Sequence, residues 1–151
     1  MVLTGKIIRE IEIKSDTDLF HELFCNKPYE VSKLTPEKVH GCELHKDDWG
    51  THGSIICWDY THDGKRKIAK QIMERDDEKK MVTLTLIEGD MLQDFKSVIV
   101  KIQVKKQGEN KLVTWTIEYE KLNEDIEDPL TLIQYFADLT KDIEAHHVRV
   151  N

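Results

Sequence analysis

The side chains in this chain that invite a chemical reading are its seven histidines, its three cysteines, an acidic pair and a basic run. His146 and His147 are neighbours in a predicted helix, so they diverge by about 100° and cannot share an ordinary metal site unaided. His40 and His45 have opposite parity on a predicted strand, and His62 lies beside a turn. None of these stands at zinc spacing from a cysteine or carboxylate, so no metal is expected. Cys25 and Cys42 have no base signalled nearby. Cys57 has the parity opposite to Trp58 and should face outward. Glu88 and Asp90 flank Gly89 and could serve as acid or base if burial raised a pKa. A polar turn is the commoner meaning of such a pair. Lys65, Arg66, Lys67 and Lys70 fall on one predicted strand, where a charge run usually marks a solvated face. The residues by themselves therefore offer no catalytic group, no metal site and no cofactor.

The balance of charge narrows the partners. At a net charge of −7, the chain lacks the basic surface that displaces counterions from nucleic acid or docks on anionic lipid. No stretch approaches the ~18 apolar residues of a membrane span. Met1-Val2-Leu3-Thr4-Gly5-Lys6 has no long apolar core of a secretory signal. An odd number of cysteines without such a signal reads as free thiols in a reducing compartment. The expectation is a cytoplasmic protein of one domain over residues 1–151, with no membrane insertion and no nucleic-acid partner.

The elements that would position any site follow from changes of hydrophobic period. Residues 3–14 predict a strand, with Leu3, Ile7, Ile11 and Ile13 on one face; Ile8 and Arg9 break the alternation. Ser15 or Asp16 then caps a helix carrying Leu19, Phe20, Leu23 and Phe24. A second short helix over about 27–33 ends before Pro36. From 37 to 122 the period is two. It predicts strands at 38–46, 53–62, 65–75, 80–88, 94–106 and 111–122, with a hairpin signal at Asp63-Gly64. After that the period returns to 3.6. Asp128 is a natural N-cap and Pro129 a natural first residue for a helix of about 20 residues, roughly 30 Å long. Leu132, Phe136, Leu139 and Ile143 form its stripe. A large one-sided antiparallel sheet and one long striped helix must pack on each other.

That order of elements resembles the birch-pollen-allergen superfamily, which includes the class-ten pathogenesis-related proteins. The closer resemblance is to its major latex protein branch. Leu3-Thr4-Gly5-Lys6 carries it, with the run from Asp16 to Phe24 (Asp-Thr-Asp-Leu-Phe-His-Glu-Leu-Phe). Trp49-Gly50, Gly53-Ser54-Ile55, Trp58-Asp59-Tyr60 and Asp63-Gly64-Lys65 continue it. Ile87-Glu88-Gly89-Asp90, the block Val113–Lys121 and Thr140-Lys141-Asp142-Ile143-Glu144 complete it. The resemblance implies a plant protein of the α+β helix-grip fold. In that fold a seven-stranded curved antiparallel sheet wraps a long C-terminal helix, two short helices follow the first strand, and an apolar cavity is enclosed. Members bind steroids, flavonoids, alkaloids and similar metabolites, several are defence-induced, and a few are enzymes of alkaloid pathways.

One loop departs from the pathogenesis-related branch, which has a glycine-rich loop after the second strand. Here residues 45–53 carry Asp47 and Asp48 and only Gly50 and Gly53. Two carboxylates repel a phosphate, so no nucleotide is expected there. The positions matching the family's cavity wall are Leu23, Ile56, Trp58, Tyr60, Val82, Leu84, Leu86, Phe95, Val98, Val100, Ile102, Val113, Trp115, Ile117, Tyr119, Leu132, Tyr135, Phe136, Leu139 and Thr140. Strand parity selects most of them independently. Parity alone cannot tell a packed core from a pocket, and a pocket usually needs ~300 Å³ or more. The expected partner is a small hydrophobic molecule of about 20–30 heavy atoms, held by a monomer or weak dimer. The alternative is an isomerase, lyase or condensing enzyme using the same cavity. The late strands offer no inward lysine of the kind enzymatic relatives use. A ligand-gated regulatory role is a third reading.

Overall fold

The computed structural model describes residues 2–150, with side chains to residue 146. Met1 and the side chain of His147, both named above, lie outside the described residues. The order is β1 (Thr4–Ile13), α1 (Thr17–Asn26), a 3-10 turn at Pro28–Glu30, α2 (Val31–Leu34), β2 (Val39–Lys46), β3 (Ser54–His62) and β4 (Lys65–Asp76). Then come β5 (Met81–Gly89), a 3-10 turn at Asp90–Gln93, β6 (Phe95–Gln107), β7 (Asn110–Lys121) and α3 (Leu130–Val150). The strands form one antiparallel sheet in the order β1-β7-β6-β5-β4-β3-β2. Hairpins join β2 through β7, and β1 closes against β7. Bulges in β2, β5 and β6 bend the sheet, because an extra residue on one strand kinks it and increases its twist. The β3–β4 turn is the tight hairpin that Asp-Gly predicts: Asp63 and Gly64 have φ of 53° and 72°. Two left-handed residues in succession are what this turn needs, and glycine adopts that conformation without strain.

Two details of the sequence expectation are settled, the α1 cap and the break in β1, and two differ, Leu19 and Asp128. The cap of α1 is Asp16, which accepts from the backbone N–H of Asp18 (2.8 Å) and Leu19 (3.3 Å). Ser15 instead donates to the Glu144 carboxylate on α3. Leu19 is half exposed, so the buried stripe of α1 runs through Phe20, Leu23 and Phe24. In β1, Ile8 is the exposed residue and Arg9 shares the inner face, where Nη1 donates to Gln134 on α3 at 2.7 Å. Asp128 does not act as the expected cap of α3. Its carboxylate is occupied by the Tyr119 hydroxyl (2.8 Å) and the Lys121 ammonium (2.7 Å), and α3 starts at Leu130.

The core lies between the concave face of the sheet and α3. Leu132, Ile133, Ala137, Leu139, Thr140 and Ile143 of α3 are buried against Trp115, Ile117, Val113 and Ile13 and their neighbours. Each fully buried large apolar side chain contributes about 1.5–3 kcal/mol. Polar clamps fix the C-terminal half of the helix. Glu144 accepts from the backbone N–H of Lys14 and Ser15, and Asp142 takes the Lys38 ammonium (2.6 Å) and the Thr35 hydroxyl (2.9 Å).

Candidate ligand cavity

Strand alternation points one residue in two at the helix, and the bent sheet keeps those rows apart near its middle. The result is a void of about 80 Å³ between the sheet and α3. Trp58 and Tyr60 of β3, Leu84 and Leu86 of β5, Val98, Val100 and Ile102 of β6 and Trp115 of β7 line it. Leu132, Tyr135, Phe136 and Leu139 of α3 close it. All of these are among the positions expected from the sequence.

Leu23, Ile56, Val82, Phe95, Val113, Ile117, Tyr119 and Thr140 do not line the void; they are packed elsewhere in the buried interior. Thr140 is consumed internally, accepting from the Trp115 indole N–H at 2.8 Å and donating to the Phe136 carbonyl at 2.8 Å. The Tyr119 ring lies over Gly5, where even a Cβ would come within 2.3 Å of its hydroxyl, and that hydroxyl goes to Asp128. Phe95 packs edge-on against Tyr119, with ring centres 5.8 Å apart.

Six wall residues escaped the sequence expectation: Phe24, Val31, Val39, Ala69, Gln71 and Met91. Phe24 sits on the predicted helical stripe. Ala69 and Gln71 share parity with buried Met73, but β4 is so rich in charge that its inner face is hard to see. Its conspicuous apolar residue, Ile68, has the other parity and is half exposed. Pairing of Ala69 with Trp58 reveals the face, and pairing is not local information.

The wall is apolar and aromatic. Phe136 stacks on Trp115 at 4.4 Å with planes 14° apart, and Phe24 meets the same indole edge-on at 5.6 Å. The Trp58 indole N–H donates to Gln71 Oε1 at 2.8 Å, and the Tyr135 hydroxyl to the Lys38 carbonyl at 2.8 Å. Burial, with a smaller contribution from the charge of Asp90, pushes the Tyr60 phenol up to about 12. Burial also raises Tyr135. Among the described residues no carboxylate, lysine, arginine or histidine lines the void. At about 80 Å³ it is well short of the roughly 300 Å³ of an ordinary small-molecule pocket.

The other chemical candidates are absorbed by structure. Asp90 accepts from the Ile68 backbone N–H at 2.7 Å, and Glu88 pairs with Lys70 at 3.7 Å. Arg66 makes a two-pronged pair with Asp59 at 2.9 and 2.8 Å, and the Lys67 ammonium donates to His62 Nδ1 at 3.3 Å. In the 45–53 loop, Arg75 holds the Gly50 carbonyl at 2.9 Å.

The expectation that Cys25 has no base nearby is overturned. His21 and Cys25 are four apart on α1, and Sγ lies 3.4 Å from Nε2. Asp77, from the β4–β5 turn, meets the same Nε2 at 3.1 Å. These three donor atoms fall within 4.8 Å of one another, a spacing a metal ion could use. Two features oppose that use. Asp77 Oδ1 already accepts from Arg75 Nε at 2.9 Å. Burial pushes the Cys25 thiol up to about 11, with the Asp77 and Glu22 charges adding to the effect and Arg75 opposing it. A protonated thiol is a poor nucleophile and a poor ligand. The i, i+4 spacing was the signal available in the sequence.

A curved sheet gripping a long helix around an apolar hollow defines a helix-grip protein of the ligand-binding kind. The chain belongs to the pathogenesis-related protein Bet v 1 family, whose pattern matches residues 2–149, and its near relatives are major latex proteins. MLP-like protein 43 of Arabidopsis thaliana is 44% identical over 95% of this chain and 93% of its own length. The crystal structure of major latex-like protein 151 from Panax ginseng shares 45% identity, with a TM-score of 0.94 over 96% of this chain and 98% of that one. Some relatives are longer: the chain spans 44% of MLP-like protein 28 of Arabidopsis thaliana, to which it is 43% identical over 95% of its own length. Norcoclaurine synthase from Thalictrum flavum is only 19% identical (TM-score 0.78, 98% of this chain and 88% of that one) and shares the fold alone. Among the described residues, no helix is long and apolar enough to cross a membrane.

Proposed function

We propose that the protein binds a small hydrophobic plant metabolite between its sheet and α3, and carries or stores it in the cytoplasm as part of a defence or stress response. Steroid, flavonoid, terpenoid and alkaloid-like skeletons fit the chemistry of the wall. The observation that carries this reading is the void itself, walled by apolar and aromatic side chains with no charged group among them. Affinity would come from burying apolar surface at about 25 cal/mol per Å². Norcoclaurine synthase, on the same fold, has been crystallised with dopamine and hydroxybenzaldehyde. The wall of the present void holds no carboxylate, lysine or histidine, and burial raises its two phenols, Tyr60 and Tyr135, well away from neutral pH, which favours carriage over catalysis.

The size of the void adds a requirement. A guest of metabolite size must push the wall apart. The strand side is held by ladder hydrogen bonds, so the yielding side is Met91 in its short 3-10 turn together with half-buried Tyr135 of α3. Met91 suits this, because an unbranched thioether repacks readily. Titration with an apolar fluorescent dye, followed by native mass spectrometry with displacing metabolites, tests the proposal. One molecule of probe per chain is expected. A protein that takes up no apolar probe at saturating concentration is not a carrier.

A further inference from the structure

Five wall residues carry polar side-chain atoms, and the donors of three of them are already satisfied by the protein. The Trp115 indole N–H goes to Thr140, and the Tyr135 hydroxyl goes to Lys38. The Trp58 indole N–H goes to Gln71 Oε1. An indole N–H can only donate, so this bond fixes which way the carboxamide is turned, with its oxygen toward Trp58. The Gln71 NH₂ group is thereby left with two donors, and neither meets any described residue. The Tyr60 hydroxyl likewise makes no hydrogen bond to any described residue. Both residues are more than nine-tenths buried, and both line the void.

Neither polar atom is sealed off from all space, so water or a guest must meet it. Apolar residues would have served a purely structural wall better. Gln71 pairs across the sheet with Ile56, and Tyr60 pairs with Lys67. The two donors are therefore separated along the strands, with the Trp58–Ala69 pair between them. Both offer protons and neither offers charge. No cation lines the void to receive a carboxylate, and the Asp90 charge near Tyr60 opposes a second anion.

Resting on the binding role proposed above, we infer that the guest is an uncharged apolar molecule bearing carbonyl-type oxygen, received by Gln71 Nε2 or the Tyr60 hydroxyl. Ketones, aldehydes, esters and lactones are of this class. Pure hydrocarbons and carboxylates are not. The donors act as specificity determinants, because a site built to hydrogen-bond an oxygen discriminates against a guest that leaves the donors unpaired.

A matched pair of small probes tests this on the full chain. Acetophenone and α-methylstyrene have nearly the same shape and differ in C=O against C=CH₂. Affinities are read from the indole N–H signals of Trp58 and Trp115 in NMR titrations, with benzoate as the charged comparison. Tyr60→Phe should weaken acetophenone about 3- to 10-fold, the worth of one net hydrogen bond, and leave α-methylstyrene unchanged. Gln71→Met should do the same. A loss in either variant supports the inference and locates the oxygen. Gln71→Met also strips Trp58 of its acceptor, so its fold is checked by circular dichroism. Tyr60→Phe removes an oxygen with no protein partner, so its melting temperature should not fall. If both probes bind and neither variant changes their ratio, the inference is overturned while the binding role stands. Benzoate binding as tightly as acetophenone overturns it too. If neither probe binds, the inference and the binding role fall together.

Discussion

The two tryptophans on the void wall mark two unlike halves of one core. On the β7 side, Trp115 is 2% exposed, stacked on Phe136, edged by Phe24 and bonded to Thr140. Around it Val113, Ile117, Thr140 and Ile143 have no exposed surface. On the β3–β4 side, Trp58 is 9% exposed, and its one bond leads to a carboxamide with unused donors. Its strand neighbour across the sheet is Ala69, which is too small to fill the space before it. The same period-two pattern thus builds a finished interior on one side and an unfinished one on the other. The finished half holds α3 in place. The unfinished half is where a guest has something to gain by entering.

The largest way to test that contrast is to truncate each indole. Trp115→Ala should cost about 3–5 kcal/mol in urea unfolding, the usual cost of losing a well-packed aromatic. Trp58→Ala should cost less than half as much and should increase uptake of apolar dye. Equal costs would erase the distinction between the halves. Next comes filling. Ala69→Leu should use the void, raise stability by up to about 1 kcal/mol and reduce dye binding, since cavity filling commonly stabilises. Val113→Ile, on the packed side, should lose about 1–3 kcal/mol through overpacking. If both substitutions destabilise alike, the void is not usable space. Thr140→Val should cost about 1–3 kcal/mol by leaving the Trp115 N–H unpaired.

The smallest effects concern pH. The Cys25 thiol rises from an ordinary 9.0 to about 11, and the Tyr60 phenol from 10.0 to about 12. Both native groups keep their protons where the unfolded chain would release them. The associated stability is therefore fully present below pH 9 and is lost as pH rises through about 11 and 12. Melting temperature should fall from about pH 9 upward, and Tyr60→Phe should make the fall shallower at its alkaline end. In thiol labelling at pH 8, the partly exposed Cys57 should react well before buried Cys25 and Cys42.

Most of the fold was legible because it is local. The strand bounds expected from alternation differ from the observed ones by a residue or so, and Asp63-Gly64 turns as its composition demands. Errors fell where a side chain had a distant alternative partner. Asp128 has the right residue type for a cap, yet Tyr119 and Lys121 claim it. The break at Arg9 was visible in the pattern, but its partner Gln134 on α3 was not. Cys25 looked isolated because Asp77 lies far along the chain, although His21, four residues away, was in plain view.

The sequence by itself determined which residues face inward, because a strand's period and a helix's stripe are properties of the chain alone. It also argued against a phosphate cradle and a basic nucleic-acid surface. Only the tertiary structure decided where the inward residues touch and where they fall short. Ile117 and Leu84 follow the same alternation, yet one is packed solid and the other borders the void. The difference depends on the bend of the sheet, the height of α3 above it and the size of the residue opposite. Gln71 shows this most sharply: its free donors exist because Trp58, thirteen residues earlier and on the next strand, takes its oxygen.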